Sequence, residues 1–277
     1  MKIRLTGIIT VFALQIGICP YLQGQQERSA LEISLEKIFT RIINTRNDRE
    51  RLRLNDSVRL LVDAHASSDS VMNYNFIRLR YPGQVNSPDG NIKIITWNLV
   101  LSDGSDSYFL YLIRRGKKGE SNRVYKLTGH HRQTPPDKDS IYTEKNWYGA
   151  LYYGIRPFKV HKKVFYVLLG IDQGEHTSRK IIDFLSFGTG DSILFGRKCL
   201  EKDNKLYSRA IMEYSSEGIV TLRFDRKNVI VFDHIVPYTT GHRNNPDNYG
   251  AGLYFDGYAY KKGIWKFVSN INVKNSK

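Results

Sequence analysis

Cysteine is almost absent: the 277-residue chain has two, Cys19 and Cys199. That excludes a disulfide scaffold and any multi-cysteine zinc or iron–sulfur site. The short motifs of common catalysis are missing as well. There is no G-x-S-x-G elbow, no P-loop, no H-E-x-x-H helix and no C-x-x-C. Gly188-Thr189-Gly190 lacks the third glycine of a dinucleotide loop and falls in a strand-to-strand turn. Nothing at metal-ligand spacing surrounds His130-His131, and Glu175-His176 reads as a solvent-facing loop pair. The sequence therefore assigns no catalytic residue, no metal ligand and no cofactor. Acidic residues are also scarce, 27 against 42 Lys and Arg, for a net charge of +15 spread along the chain. Such an excess favours anionic partners and says nothing about fold. With 41% hydrophobic and 25% charged residues, the composition is globular.

Long hydrophobic runs are confined to the start. Met1–Arg4 carries two positive charges, Leu5–Cys19 is apolar, and Pro20 with a short polar run follows. This is the order of a secretory signal peptide, with an apolar stretch shorter than the roughly 20 residues of a transmembrane helix. Cleavage is expected after Gly24, so that the mature chain begins near Gln25; lipoprotein processing at Cys19 is the alternative. Loss of Lys2 and Arg4 lowers the net charge from +15 to +13 and leaves Cys199 without a partner, as a buried thiol. An exported protein, periplasmic, outer-membrane-associated or secreted, does not meet nucleic acid. Its anionic partners would be lipopolysaccharide, lipid headgroups, acidic glycan or an envelope protein.

The rest divides into a helical head with a linker, 25–90, and a strand-rich body, 91–277. Ser29 and Glu32 form a capping-box pattern, and Leu31, Leu35, Ile38, Phe39, Ile42 and Ile43 fall on one helical face over about 30–45. Asn47 or Asp48 can cap a second helix, in which Leu54, Val58, Leu61 and Val62 repeat the spacing to about Ala66. The two make a helical hairpin. Arg46, Arg49, Arg51 and Arg53 cluster at its turn as a solvated face. From Asn91 on, short apolar runs rich in aromatic and β-branched residues follow one another: Ile95–Leu101, Tyr108–Ile113, Val164–Leu169, Ile181–Phe187 and Val229–Phe232 are the clearest. Asp89-Gly90, Asp103-Gly104 and Asp256-Gly257 read as turns. No helical pattern separates the strands, so the fold is expected to be mainly β: an N-terminal helical hairpin, then a mostly antiparallel body forming a sandwich, a barrel or a small propeller.

Asp233-His234 ends an apolar strand just before Pro237. Such a pair either points into a cleft or is held by backbone hydrogen bonds. Asp256 can join it as a ligand or simply form a turn. The segments Trp147-Tyr148-Gly149-Ala150-Leu151-Tyr152-Tyr153, Leu168-Leu169-Gly170, Phe232-Asp233-His234 and Asp256-Gly257 occur in one order. That series resembles an uncharacterised family of exported proteins from Bacteroidota-type bacteria, over about Trp97 to the C-terminus. The resemblance implies export but brings no activity with it. Where the family tends to have Tyr-Gly-Pro-Asp, this chain has Tyr249-Gly250-Ala251-Gly252, and Ile171 stands where Trp is frequent. Trp147, Tyr148 and Asp172 complete the candidate ligand-binding set with Asp233, His234 and Asp256. Two functions follow as expectations: a non-enzymatic envelope binding or assembly module, or a hydrolase of an envelope polymer with Asp233, His234 and Asp256 converging in a cleft. Two basic clusters, Arg114-Arg115 with Lys117-Lys118, and Lys159 with His161-Lys162-Lys163, are the candidate anionic contacts.

Overall fold

The computed structural model describes residues 20–76, 79, 81–132, 134–238 and 245–273; residues 1–19, most of the expected signal peptide, lie outside them. Two helices come first, α1 (Pro20–Asn44) and α2 (Asp48–Ala66). The apolar spacing is realised as expected: Leu35, Phe39 and Ile42 of α1 and Leu54, Val58 and Val62 of α2 are buried together. Asn47 caps α2, its side chain accepting from the Glu50 amide at 3.1 Å. Ser29, expected at the helix start, lies within α1. The helix runs back to Pro20, because a proline is tolerated at a first helical position and the intervening residues are mostly good helix formers. Ile43, expected on the inner face, is 53% exposed, since the helix turns it past the edge of the hairpin. Of the turn arginines, Arg46, Arg49 and Arg53 are exposed, whereas Arg51 bonds the carbonyls of Thr45 and Val100 and the carboxylate of Asp48.

Behind the helices the chain builds three sheets. The first has the order β1 (Gly83–Asn86), β2 (Ile92–Val100), β3 (Asp106–Arg114), β4 (Arg123–His130), all antiparallel. The second comprises β5 (Tyr142–Thr143), β6 (Leu151–Val160), β7 (Lys163–Gln173), β8 (Thr177–Phe187), β9 (Ile193–Phe195) and β12 (Ala210–Ser215), the last paired with β8. The third runs β11 (Lys205–Tyr207), β10 (Leu200–Lys202), β16 (Ile264–Val268), β15 (Tyr249–Lys261), β14 (Val229–Pro237), β13 (Leu222–Phe224). Among the described pairings, β10 with β16 is parallel and the others are antiparallel. The sheets do not close into a barrel.

Alternation along the strands stacks the layers. Ile95, Trp97 and Leu99 of β2, with Phe109, Tyr111 and Ile113 of β3, face the helices. Their neighbours Ile92, Ile94, Tyr108, Leu110 and Leu112 face the second sheet, meeting Tyr152, Tyr166 and Leu168. The far side of the second sheet, with Val167, Leu169, Ile182 and Phe184, packs on Ile230, Phe232, Tyr258 and Trp265 of the third. Each such fully buried apolar side chain contributes roughly 1.5–3 kcal/mol. The helical cover is also anchored by polar bonds: the Trp97 indole donates to Asn55 at 2.8 Å, and Asp48 accepts from the Ser102 amide and hydroxyl. Asp89-Gly90 and Asp103-Gly104 are turns with glycine at positive φ, as expected. Asp256-Gly257 is not. It lies inside β15, paired with Phe232 and Val231, and the chain reverses at Lys262-Gly263 instead. Gly257 is needed in the strand because a Cβ there would collide with the Ile230 carbonyl and the Ile271 side chain.

Candidate functional site

The six residues singled out from the sequence occupy four places. Asp233 accepts from the Thr221 amide at 2.6 Å and returns its own amide to the Thr221 carbonyl. His234 stacks on Tyr254 and bonds Asp256 through Nδ1 at 2.7 Å; Asp256 is buried and also accepts from the Asn270 amide. Phe232 is in register with Asp256, so Asp233, one position on, faces the other side of the sheet. The convergence of Asp233, His234 and Asp256 expected for a hydrolase is therefore not formed. Trp147 and Tyr148 are core residues. The Tyr148 hydroxyl donates to Asp183 at 2.6 Å, and the Arg209 guanidinium lies over the Tyr148 ring. Asp183 and Arg209 are a fully buried pair, 3.5 Å apart, with Arg209 also capping the carbonyls of Asp137, Ser140 and Phe195. Burial pushes the Tyr148 hydroxyl far above its ordinary range, and the neighbouring Asp183 charge adds to it.

Asp172 leads to a cleft. One of its oxygens accepts from the Arg179 guanidinium at 3.0 Å; the other meets the Tyr108 hydroxyl at 3.0 Å and His131 Nδ1 at 2.8 Å. The position of Tyr108 depends on Gly149, which has φ 91°; a Cβ there would sit 2.8 Å from the Tyr108 ring. His131 lines a cleft of about 620 Å³ between the β2–β3 turn and the β7–β8 turn. Asp103, Asp106 and Glu175 share the wall with Asn98 and Gln173, and among the described residues no lysine or arginine lines it.

Asp106 is the residue that sequence reasoning missed. It is 7% exposed, Asn98 donates to its Oδ2 at 3.3 Å, and its Oδ1 has no hydrogen-bond partner among the described residues. The adjacent Tyr108 hydroxyl, whose hydrogen bonds go to Asp172 and the Gln173 carbonyl, and His131 favour the charged form of Asp106 but do not outweigh its burial. Burial pushes the Asp106 carboxyl up to about 6, and the Asp172 charge works in the same direction. A signal was present: Asp106 shares its strand face with Tyr108, Leu110 and Leu112, which places it inward.

A second cavity, about 460 Å³, opens beside the first between the helical hairpin and the sheets. Its walls are apolar: Phe39, Ile42 and Ile43 of α1, Trp97 of β2, Tyr152 of β6, and Ile171 of β7. Asn98 and Val100 line both cavities. Among the described residues, no group of three or more His, Cys, Asp or Glu is placed to hold a metal ion. Cys199 is buried in the core between the second and third sheets, which pushes its thiol up to about 12.

The basic clusters fare differently. Arg114 is paired with Asp191 and lies over Phe187; Arg115 bonds Gly90 and Asn73 but is exposed, as are Lys117 and Lys118. Lys159, His161, Lys162 and Lys163 are all exposed at the β6–β7 turn. The β15–β16 turn, with Lys261 and Lys262, lies against it: a Cβ on Gly263 would be 3.3 Å from Val160, and Tyr260 donates to the Lys159 carbonyl at 2.6 Å. The β13–β14 turn, with Arg226 and Lys227, joins them through Arg156, which donates to the Arg226 carbonyl at 2.7 Å. Three hairpin turns thus form one basic tip.

Fold and sites together define a helix-covered stack of antiparallel sheets with a ligand-sized cleft and a basic tip. Comparison of the chain with protein-family models, curated proteins and solved structures finds no match.

Proposed function

We propose that the protein is an exported, non-enzymatic binding module of the cell envelope that docks on phosphate-bearing lipid through its basic tip. The observation that carries this reading is the convergence of Lys159, Lys162 and Lys163 with Lys261, Lys262 and Lys227 from three separate turns; Arg226 beside them is paired with Asp225. Positive charges far apart in sequence are gathered on one exposed surface, whereas the competing cluster is a single short run in which Arg114 is tied to Asp191. Export is supported by the charged, apolar and polar order of residues 1–24. Cleavage near Gln25 would spare Leu35, Phe39 and Ile42, the α1 residues that cover the first sheet. The structure contains no helix among the described residues long and apolar enough to cross a membrane, so association would be peripheral.

Each lysine or arginine near an anionic bilayer is worth about 1 kcal/mol. Lys162→Gln combined with Lys262→Gln should therefore weaken binding of the mature protein to phosphatidylglycerol-containing vesicles by about thirtyfold. Raised salt should weaken the native protein too, because exposed charges are screened over about 8 Å at physiological ionic strength. Equal binding to neutral phosphatidylcholine vesicles, or indifference to salt, overturns the reading. N-terminal sequencing of the exported protein checks the processing; a lipidated Cys19 would replace cleavage near Gln25.

A further inference from the structure

We propose that the cleft between the β2–β3 and β7–β8 turns binds an amphipathic organic cation, with its ammonium or guanidinium group on Asp106 and its apolar body in the adjoining cavity. The inference is independent of the docking reading, which concerns the other end of the second sheet.

Three observations converge. The first is Asp106 itself: it lines the cleft, is more than nine-tenths buried, and has one carboxylate oxygen without a partner. A buried acceptor left unpaired costs stability, so native proteins retain few of them. A cationic donor entering the cleft supplies both the missing hydrogen bond and the missing counter-charge, and a charge-assisted bond of this kind is about twice as strong as a neutral one. The second is the sign of the site. In a chain of net charge +15, this cleft is lined by Asp103, Asp106 and Glu175 with His131, and by no lysine or arginine among the described residues. The neighbouring carboxylate of Asp172 is already bonded by Arg179, Tyr108 and His131, so it does not compete with Asp106 for the incoming group. The raised affinity of the Asp106 carboxyl for a proton agrees with this: burial leaves its negative charge short of compensation.

The third observation sets the rest of the ligand. Asn98 and Val100 wall both cavities, so a molecule held at Asp106 can extend past them into a space bounded by Phe39, Trp97, Tyr152 and Ile171. Arg51, the cation on that wall among the described residues, is committed to Asp48 and to the carbonyls of Thr45 and Val100. The second cavity therefore discriminates by shape and apolar contact, and the first by charge.

The test uses the mature protein and three eight-carbon probes, octylammonium, octanol and octanoate, titrated by calorimetry or by following protein NMR shifts at neutral pH. Octylammonium should bind saturably and at least about tenfold more tightly than octanol, with octanoate weakest. Asp106→Asn should remove the preference for the amine while leaving octanol binding and the cooperative melt intact. Butylammonium should bind more weakly than octylammonium, because it fills less of the apolar cavity. Equal affinity for octylammonium and octanol overturns the cation assignment. Undiminished amine binding in Asp106→Asn overturns the role of Asp106, and absence of binding by any probe overturns the site.

Discussion

Asp106→Asn should make the protein more stable at neutral pH, an unusual outcome for a substitution at a buried site. The folded protein raises the Asp106 carboxyl from 3.8 to about 6. A group whose folded value is raised binds its proton more tightly in the native state. Its contribution is therefore most favourable below the unfolded value, falls as pH rises between about 4 and 6, and is flat above. A shift of about two units at 1.36 kcal/mol each sets an upper bound of about 3 kcal/mol. Asparagine keeps the acceptor for Asn98 and carries no charge, so the variant lacks this loss. Denaturant unfolding of native protein and variant over pH 3.5 to 7.5 checks the prediction. The stability difference should be smallest near pH 4 and should widen in the variant's favour by about 1–3 kcal/mol at pH 7. Carboxylates that do not interact with Asp106 are common to both proteins and cancel in the difference, so what remains is Asp106 with its neighbours Asp172 and His131. A difference independent of pH, or a variant less stable at pH 7 than native, would show that Asp106 is neither desolvated nor unpaired as described.

Arg209→Met leaves Asp183 charged and fully buried without its counter-ion, and should cost about 3–5 kcal/mol in denaturant unfolding. Asp233→Ala removes the acceptor for the Thr221 amide and should lower stability by about 1–2 kcal/mol without changing vesicle or amine binding; an unchanged melting temperature would contradict the structural role assigned to it. Cys199, buried and with its thiol pushed up to about 12, should resist thiol reagents in the native state and react fully once denaturant is added.

Local pattern carried the helical hairpin and most strands, because each depends on apolar spacing that a window of a dozen residues displays. Leu35, Phe39, Leu54 and Val58 are legible in this way, and so are the alternating residues of β2. Asp256-Gly257 misled for a physical reason: the pair is good turn chemistry, but here glycine serves close approach to the Ile230 carbonyl within a strand. The layering of three sheets was not legible, since it depends on which strand faces meet across long separations. The same holds for the sites. Asp172 was singled out, but its partners Tyr108, His131 and Arg179 come from three other segments. Asp106 stands in an acidic, serine-rich turn where a carboxylate attracts no notice, and only the assembled sheets bury it. The basic tip was half legible: Lys159–Lys163 is a run in the sequence, whereas Lys261 and Lys262 reach it through tertiary packing.

β7 is eleven residues long and runs from Lys163 at the basic tip to Gln173 at the wall of the acidic cleft. An extended strand of that length spans about 35 Å. That distance is about four screening lengths at physiological ionic strength. A molecule seated on an anionic surface by its tip therefore holds its cleft beyond the reach of that surface's potential. The surface neither concentrates cations at Asp106 nor strips them from it, and occupancy of the cleft follows the composition of the bulk solution. Sheet length thus acts as an electrical spacer, letting one rigid body carry opposite charges at its two ends without one cancelling the other.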